Sequence, residues 1–143
     1  MNISNKDFPL ILEIKSETRK SEVADLITRI KKFVEKDLKL PNNKPCITAT
    51  QMKNIYSKVT ECKNNLDFQL LRPQLAYIIG KKSNEQLEKV INLIDELLSY
   101  LSTILFDKNK ENKVILTEEQ YVENLHTFFE MIVAYHKFFY GEK

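Results

Sequence analysis

The strongest constraint on the fold is a run of apolar residues at helical spacing between residues 87 and 105. Its members are Leu87, Val90, Ile91, Ile94, Leu97, Leu98, Leu101, Ile104 and Leu105. Because an α-helix has about 3.6 residues per turn, intervals of three and four residues place them all on one face. A helix with such a face must bury it against other elements, which predicts a helical bundle.

The same spacing recurs in four other segments, each bounded by a start or stop signal. The predicted helices cover about Ser21–Leu38, a segment from Thr48, about Leu66–Ile79, a segment from Ser83, and Thr117–Tyr140. Thr48, Ser83 and Thr117 begin the capping boxes TATQ, SNEQ and TEEQ. Pro73 predicts a kink in the third helix or a start near Arg72. Gly80 and Gly141 follow the third and last helices, where left-handed C-caps are expected.

No segment alternates convincingly with period two, apart from a weak pattern at Leu10–Ile14. The expected fold is therefore all-α, a single-domain bundle of about five helices. We assign residues 21–143 to this domain and residues 1–20 to an N-terminal arm that could be mobile. A short helix, a strand-like arm and disorder all stay open for these first twenty residues.

Charge is unevenly distributed along the chain. Residues 1–28 have four basic and five acidic side chains, residues 29–82 have twelve and four, and residues 83–143 have six and eleven. A basic middle between acidic segments suggests one surface for a polyanion and another for protein partners. The alternative is a solvated surface on which the charges mix in space.

Several classes of function are disfavoured by what the sequence lacks. Only two glycines are present, so no P-loop, dinucleotide fingerprint or nucleophile elbow can be assigned. No stretch approaches the ~18 apolar residues of a membrane span, and the N-terminus has no secretory cleavage site. Cys46 and Cys62 lie outside any Cys-x-x-Cys pattern, which predicts reduced thiols in a cytoplasmic protein, with a disulfide as the alternative.

The histidines give no metal site from their spacing. His136 lies in the middle of the apolar arc of the last helix, where we expect a hydrogen-bonded core histidine. Glu123 and His126 form a single Glu-x-x-His, but a di-iron site needs a second one and inward glutamates from two further helices. We therefore predict no catalytic residues, no metal and no cofactor.

The final segment, FFEMIVAYHKFFYGEK, contains six of the fourteen aromatic residues. We interpret Phe128, Phe129, Ile132, His136 and Phe139 as the buried face of the last helix. Met131, Tyr135 and Phe138 widen that apolar face beyond the need of one core, which indicates a second contact with a copy or a partner.

Three segments carry a resemblance to a known family: PCITATQMKNIYSKV at 45–59, LLRPQLAYIIGKK at 70–82 and FFEMIVAYHKFFYG at 128–141. In order and spacing they resemble the small helical subunit of the type III-A CRISPR effector, the Csm complex. The closing pattern, Phe-Glu-x-x-Val-Ala-Tyr-x-Lys, is the most specific of the three. The match covers roughly two thirds of the chain.

The resemblance implies a five-helix fold and a non-catalytic role in antiviral defence. Copies of this subunit stack as an inner filament against the repeated backbone subunits and contact guide RNA and target RNA. Carried over by position, the RNA-binding residues are Lys53, Arg72, Lys81, Lys82 and Lys137. Lysine at two positions where arginine is typical keeps attraction to phosphate but weakens bidentate contact. The alternative is a helical protein–protein adaptor that binds no nucleic acid.

Overall fold

The computed structural model describes residues 1–80, 84–107 and 116–141, and over these ranges the chain is all-α. Its helices are α1 (Phe8–Leu12), α2 (Lys20–Lys32), α3 (Ala49–Glu61), α4 (Asn65–Ile79), α5 (Glu85–Phe106) and α6 (Glu118–Tyr140). The predicted all-α bundle is confirmed: α2–α6 are the five expected helices, and α1 is an additional one. Among the described helices, none is both long and apolar enough to cross a bilayer.

The helix starts follow the capping signals in the sequence. The Thr48 side chain accepts a hydrogen bond from the Gln51 N–H (3.1 Å), and the Gln51 side chain accepts one from the Thr48 N–H (2.9 Å). Thr117 and Gln120 form the same reciprocal pair at the start of α6. At α5 the cap is Asn84, whose Oδ1 accepts from the Leu87 N–H at 2.7 Å. The box predicted at Ser83 begins outside the described residues.

The two glycines end helices, but neither adopts the left-handed conformation predicted for it. Gly80 has φ 2° and ψ −132°, and Gly141 is extended at φ −70° and ψ 157°. A Cβ atom on Gly80 would lie 2.6 Å from the Tyr77 carbonyl oxygen, and one on Gly141 would lie 2.3 Å from that of Lys137. Glycine is therefore needed at these helix ends, because a side chain would clash with the backbone carbonyl of the preceding turn.

Pro73 lies inside a continuous α4, so the prediction of a start near Arg72 is wrong. Proline removes the hydrogen bond that its own N–H would make. The helix keeps its tertiary packing on both sides of this position, because Phe68, Leu71 and Leu75 are buried in the core.

Residues 1–20 pack onto the bundle. Of the three alternatives for this segment, the structure shows the short helix, α1. Their buried apolar side chains are Ile3, Phe8, Ile11, Leu12 and Ile14. The buried side chain of Asn124 on α6 donates from Nδ2 to the Leu12 carbonyl at 2.6 Å. Asp7 pairs with Arg29 of α2. The packing therefore does not change at residue 20, where the domain boundary was placed.

α6 lies at the centre of the bundle and contacts α1, α2, α3 and a π-helical turn at Phe33–Asp37 that continues α2. As at any helix end, the last backbone carbonyls of this turn have no partner within the helix. The Tyr140 hydroxyl donates to the Glu35 carbonyl (2.8 Å) and lies 2.9 Å from that of Val34. Gln86 of α5 donates to the Asp37 carbonyl. The end of the first predicted helix is thus held by α5 and α6.

Candidate nucleic-acid interface

α3 is fixed antiparallel to α6 by two histidines. His136 Nε2 lies 2.8 Å from the Ile47 carbonyl before α3, and His126 Nε2 lies 2.8 Å from the Cys62 carbonyl after it. Between these points the buried residues of α3 are Met52, Ile55 and Val59, none of which is basic. The opposite face of α3 is exposed to solvent. His136 is buried, which confirms the predicted core histidine.

Lys53 lies on this outer face of α3 and is exposed. Ser57, one turn later, is exposed as well, and both lie within about 40° of each other around the helix axis. Lys53 makes no ion pair with any described residue. Its ammonium group is therefore free to meet an anion from solvent.

An open groove of about 680 Å³ runs between α3 and α4, and Lys53 is not among the residues that line it. We call it the α3–α4 groove. Its walls include Asn54, Ser57, Lys58 and Glu61 from α3, and Gln74 and Tyr77 from α4. Pro73 and Ile78 of α4 line it as well, so polar side chains, apolar side chains and one aromatic ring share this surface.

Arg72 is held on the other side of α4, against α5. Its Nε donates to Asp95 Oδ1 (2.8 Å), its Nη2 to Asp95 Oδ2 (3.1 Å) and its Nη1 to Gln69 Oε1 (3.0 Å). The carboxylate of Asp95 raises the pKa of the Arg72 guanidinium above its ordinary value. Since the guanidinium of Arg72 is already hydrogen-bonded to Asp95, Arg72 can bind a phosphate only if it breaks its contact with α5.

The remaining predicted contacts are spread along the chain. Lys137 is exposed in the last turn of α6, and its carbonyl accepts a hydrogen bond from the Gly141 N–H at 2.9 Å. Lys81 and Lys82 lie outside the described residues. The structure therefore places Lys53, Arg72 and Lys137 on three different helices, and none of the three lines the α3–α4 groove.

Arginines and lysines of the basic middle have different surroundings. Arg29 pairs with Asp7 and Asp25, as Arg72 does with Asp95. The lysines in the described part of this segment make no ion pairs, and all except half-buried Lys58 are exposed: Lys31, Lys32, Lys36, Lys39, Lys44, Lys53, Lys58 and Lys63. The arginines connect elements of the fold, and the lysines supply the free positive charge.

Other chemistry in the described part of the chain is limited. No three His, Cys, Asp or Glu residues there are grouped so that they could hold a metal ion. Cys46 and Cys62 are free and buried, and burial raises the pKa of each thiol to about 11. Such thiols stay protonated near neutral pH, which makes them weak nucleophiles.

The buried histidine predicts a pH dependence of stability. Burial lowers the pKa of His136 below its ordinary value of 6.5, so the unfolded chain binds a proton more readily than the folded chain. The stabilisation is fully present above about pH 6.5 and is lost as the pH falls through the lower folded-state pKa. We expect the free energy of unfolding, measured by urea titration, to decrease between about pH 7 and 5.

The matched variant for this prediction is His136→Gln, which retains a side-chain N–H donor for the Ile47 carbonyl. It should show a smaller decrease over the same pH interval. An equal decrease in the variant and the parent chain would mean that His136 is not the group responsible.

Sequence reasoning missed Tyr77 and Lys58 as features of this surface. A signal for Tyr77 was present, because Leu66, Leu70, Pro73 and Tyr77 follow helical spacing on the side of α4 opposite its buried stripe. The first, second and fourth of these are exposed by 63%, 59% and 87%. A second apolar line on a helix whose core face is already assigned indicates a surface that contacts something else.

Comparison with known proteins gives one family. The family model described as Csm2 Type III-A matches residues 20–142. No curated protein and no solved structure matches the chain at a significant level. The matched range covers all five helices predicted from the sequence, whereas α1 and the buried residues around it precede the match.

Proposed function

The chain belongs to the Csm2 family of type III-A CRISPR systems and is thus a subunit of the Csm effector complex, and on this basis we propose that it is a non-catalytic RNA-binding subunit. In this proposal it contacts guide RNA and target RNA through their sugar–phosphate backbones, without sequence preference. Copies of the chain form the inner filament along other Csm subunits.

The observation that carries this proposal is the ammonium group of Lys53, which is exposed on the outer face of α3 and pairs with no described acidic residue. Phosphate contacts supply affinity and position, and they need no base-edge readout. In RNA-guided systems base pairing reads the sequence, so a small subunit need only hold the backbone.

We assign the contacts unequally among the five residues predicted from the sequence. Lys53 is the principal contact in the described part, and exposed Lys137 is a second. Lys81 and Lys82 follow Gly80, the residue after α4, in the chain, and we include them in the same proposal. Arg72 contributes least to RNA binding, because Asp95 and Gln69 already occupy its guanidinium.

Acidic residues at the start of α6 are proposed to face partner subunits. Glu119 and Glu123 are exposed and one turn apart. Glu118 also accepts a hydrogen bond from the Asn65 N–H at 3.3 Å, where it helps to begin α4. Glu119 and Glu123 are therefore the better candidates for contact with basic protein surfaces.

A protein–protein adaptor is the second candidate, and the exposed aliphatic side chains of α4 favour it. Leu66 and Leu70 are exposed by 63% and 59% on the same side of this helix. Such a patch suits an apolar protein surface better than it suits a phosphate.

The test of the site compares Lys53→Ala with Arg72→Ala. We expect Lys53→Ala to weaken RNA binding several-fold at low salt without changing stability. It should also reduce the slope of log affinity against log salt by about 0.7, the value for one contact to a single strand. Arg72→Ala should lower the free energy of unfolding by about 0.5–1 kcal/mol and leave that slope unchanged.

Fluorescence anisotropy with labelled RNA at several salt concentrations measures the affinities, and urea titration measures stability. Lys6→Ala is the control for Lys53→Ala, since Lys6 is also exposed but lies in the N-terminal segment. The site assignment fails if Lys53→Ala and Lys6→Ala bind RNA alike. The role given to Arg72 fails if Arg72→Ala reduces the salt slope as Lys53→Ala does.

A further inference from the structure

The connection between α2 and α3 is held at both ends by the last turn of α6. Before the connection, the Tyr140 hydroxyl donates to the Glu35 carbonyl at 2.8 Å. After it, His136 Nε2 lies 2.8 Å from the Ile47 carbonyl. His136 and Tyr140 are four residues apart, about one helical turn. The chain from residue 36 to residue 46 therefore begins and ends beside the same turn of α6.

Backbone hydrogen bonds make this connection a defined turn. The Cys46 N–H donates to the Leu38 carbonyl at 2.8 Å, and the Leu40 N–H donates to the Lys44 carbonyl at 2.7 Å. Between these bonds Asn43 has φ 68°, a left-handed conformation that asparagine tolerates in turns. The exposed side chains of the turn are therefore presented from a fixed backbone.

Lysines are concentrated on this part of the surface. Lys36, Lys39 and Lys44 are exposed in or beside the turn. Lys137 is exposed on α6, one residue after His136. None of these four lysines makes an ion pair with a described residue. We call the four of them the lysine cluster.

Acidic residues offset this charge only in part. Residues 31–46 contain five lysines and two acidic residues, Glu35 and Asp37, which gives a net charge of +3, compared with +2 for the whole chain. Glu35 is half-buried. Asp37 Oδ2 accepts hydrogen bonds from the Asn2 backbone N–H at 2.7 Å and from Asn2 Nδ2 at 3.0 Å. Lys137 adds a further positive charge beside this segment.

The start of α5 brings two more acidic residues to this end of the bundle. Gln86 donates to the Asp37 carbonyl, and Glu85 and Glu88 lie in the same first turn of α5. Glu85 Oε1 is 3.9 Å from the ammonium group of Lys89. With both glutamates counted, the described residues of this end still have a net positive charge.

The composition of the turn favours a phosphate backbone over a protein partner. The exposed large apolar side chains of the described residues are Met1, Leu66, Leu70, Tyr77, Phe106 and Phe138. None of them belongs to residues 31–46, and Phe138 lies about 100° from Lys137 around α6. Protein interfaces are enriched in aromatic residues and depleted of lysine. Phosphate contacts need positive charge and no apolar anchor.

We propose that the lysine cluster binds the sugar–phosphate backbone of RNA, with Lys36, Lys39 and Lys44 as phosphate contacts beyond those predicted from the sequence. This inference rests on the proposed RNA-binding function and gives it a second surface, at the end of the bundle. Lys53 lies six residues after Ile47, so less than two turns of α3 separate it from the cluster.

The experiment combines Lys36→Gln, Lys39→Gln and Lys44→Gln in the full-length chain, which removes three charges and keeps polar side chains. Fluorescence anisotropy measures binding of a labelled 12-nucleotide RNA at several salt concentrations. Since one contact to a single strand contributes about 0.7 to the slope of log affinity against log salt, the triple variant should lose about 2 from this slope. It should bind RNA about tenfold or more weakly at low salt, with an unchanged melting temperature.

Lys15→Gln, Lys20→Gln and Lys63→Gln together form the matched control. They remove the same charge from exposed positions at the opposite end of the bundle, where α2 and α4 begin. The control should keep the salt slope of the parent chain. Acetylation by an amine-reactive ester, followed by mass spectrometry, gives a second readout. Bound RNA should protect the lysine cluster from acetylation and leave the control lysines reactive.

The possible failures are distinguishable. If the triple variant and the control weaken RNA binding equally, only overall charge matters and the cluster is not a site, although RNA binding stands. If the triple variant binds RNA as the parent chain does but loses a subunit or a second copy from the assembled complex, the cluster is a protein contact. If the parent chain binds no RNA, alone or in the complex, the proposed function and this inference both fall.

Discussion

The double substitution Ile11→Ala and Leu12→Ala is expected to remove most of the stability of the protein. Both side chains are fully buried, at 0% exposure. Truncating a buried Ile or Leu to Ala costs about 2–5 kcal/mol, so the pair should cost about 4–10 kcal/mol if the effects add. Domains of this kind have about 5–15 kcal/mol in total. Thermal unfolding followed by circular dichroism should show a melting temperature lower by roughly 10–30 °C.

Lys6→Ala with Lys15→Ala is the control for this experiment, since both lysines are exposed in the same segment. It should shift the melting temperature by only a few degrees. A double alanine variant at residues 11 and 12 as stable as the parent chain would mean that the segment before the family match lies outside the core.

Phe68→Ala should have the second largest effect, a loss of about 3–5 kcal/mol in the free energy of unfolding. Phe68 is 0% exposed, and its ring centroid lies 6.0 Å from that of His126. His126 in turn contacts the Cys62 carbonyl, where α3 ends. Losing the ring opens a cavity where α3, α4 and α6 meet, and the α3–α4 groove depends on that junction.

Phe138→Ala provides a matched comparison for Phe68→Ala. It removes the same atoms from a side chain that is 74% exposed, so it should change the free energy of unfolding by about 0.5 kcal/mol or less. Urea titration of both variants measures the two values. Similar losses at the two positions would contradict the burial of Phe68 in the core.

Local signals in the sequence were sufficient for most of the fold. The capping boxes at Thr48 and Thr117 set helix starts that the structure reproduces, because a cap depends only on residues within one turn. The spacing of apolar residues likewise predicted the buried face of α5, because that spacing is also a local property of the chain. The order and type of the five main helices therefore followed from sequence alone.

Features that depend on distant contacts could not be predicted. The helical form of residues 8–12 rests on burial of Ile11 and Leu12 against other elements, and Asn124, which contacts the Leu12 carbonyl, is 112 positions away. Gly80 and Gly141 were placed correctly at helix ends, but their conformations depend on how the chain leaves each helix. Pro73 was expected to kink the third helix or to place its start near Arg72, whereas α4 runs on through Pro73 with Phe68 and Leu75 buried on either side of it.

The candidate site was only partly accessible from the sequence. Lys53 could be selected because its position on α3 and its charge are both local properties. Arg72 has the same charge, but its pairing with Asp95 on α5, 23 residues later, shows only in the fold. Tyr77 was not predicted, because it lies in a groove between α3 and α4. The spacing of residues along one helix does not show a groove between two helices.

The most direct test of the account is a purification of the tagged chain from its native cells at low salt. We expect larger Csm subunits to accompany it, together with an RNA of discrete length, and the chain's own contacts with that RNA to weaken as salt is raised. Recovery of the chain alone, or with protein partners and no RNA, would contradict the proposed function and favour the adaptor.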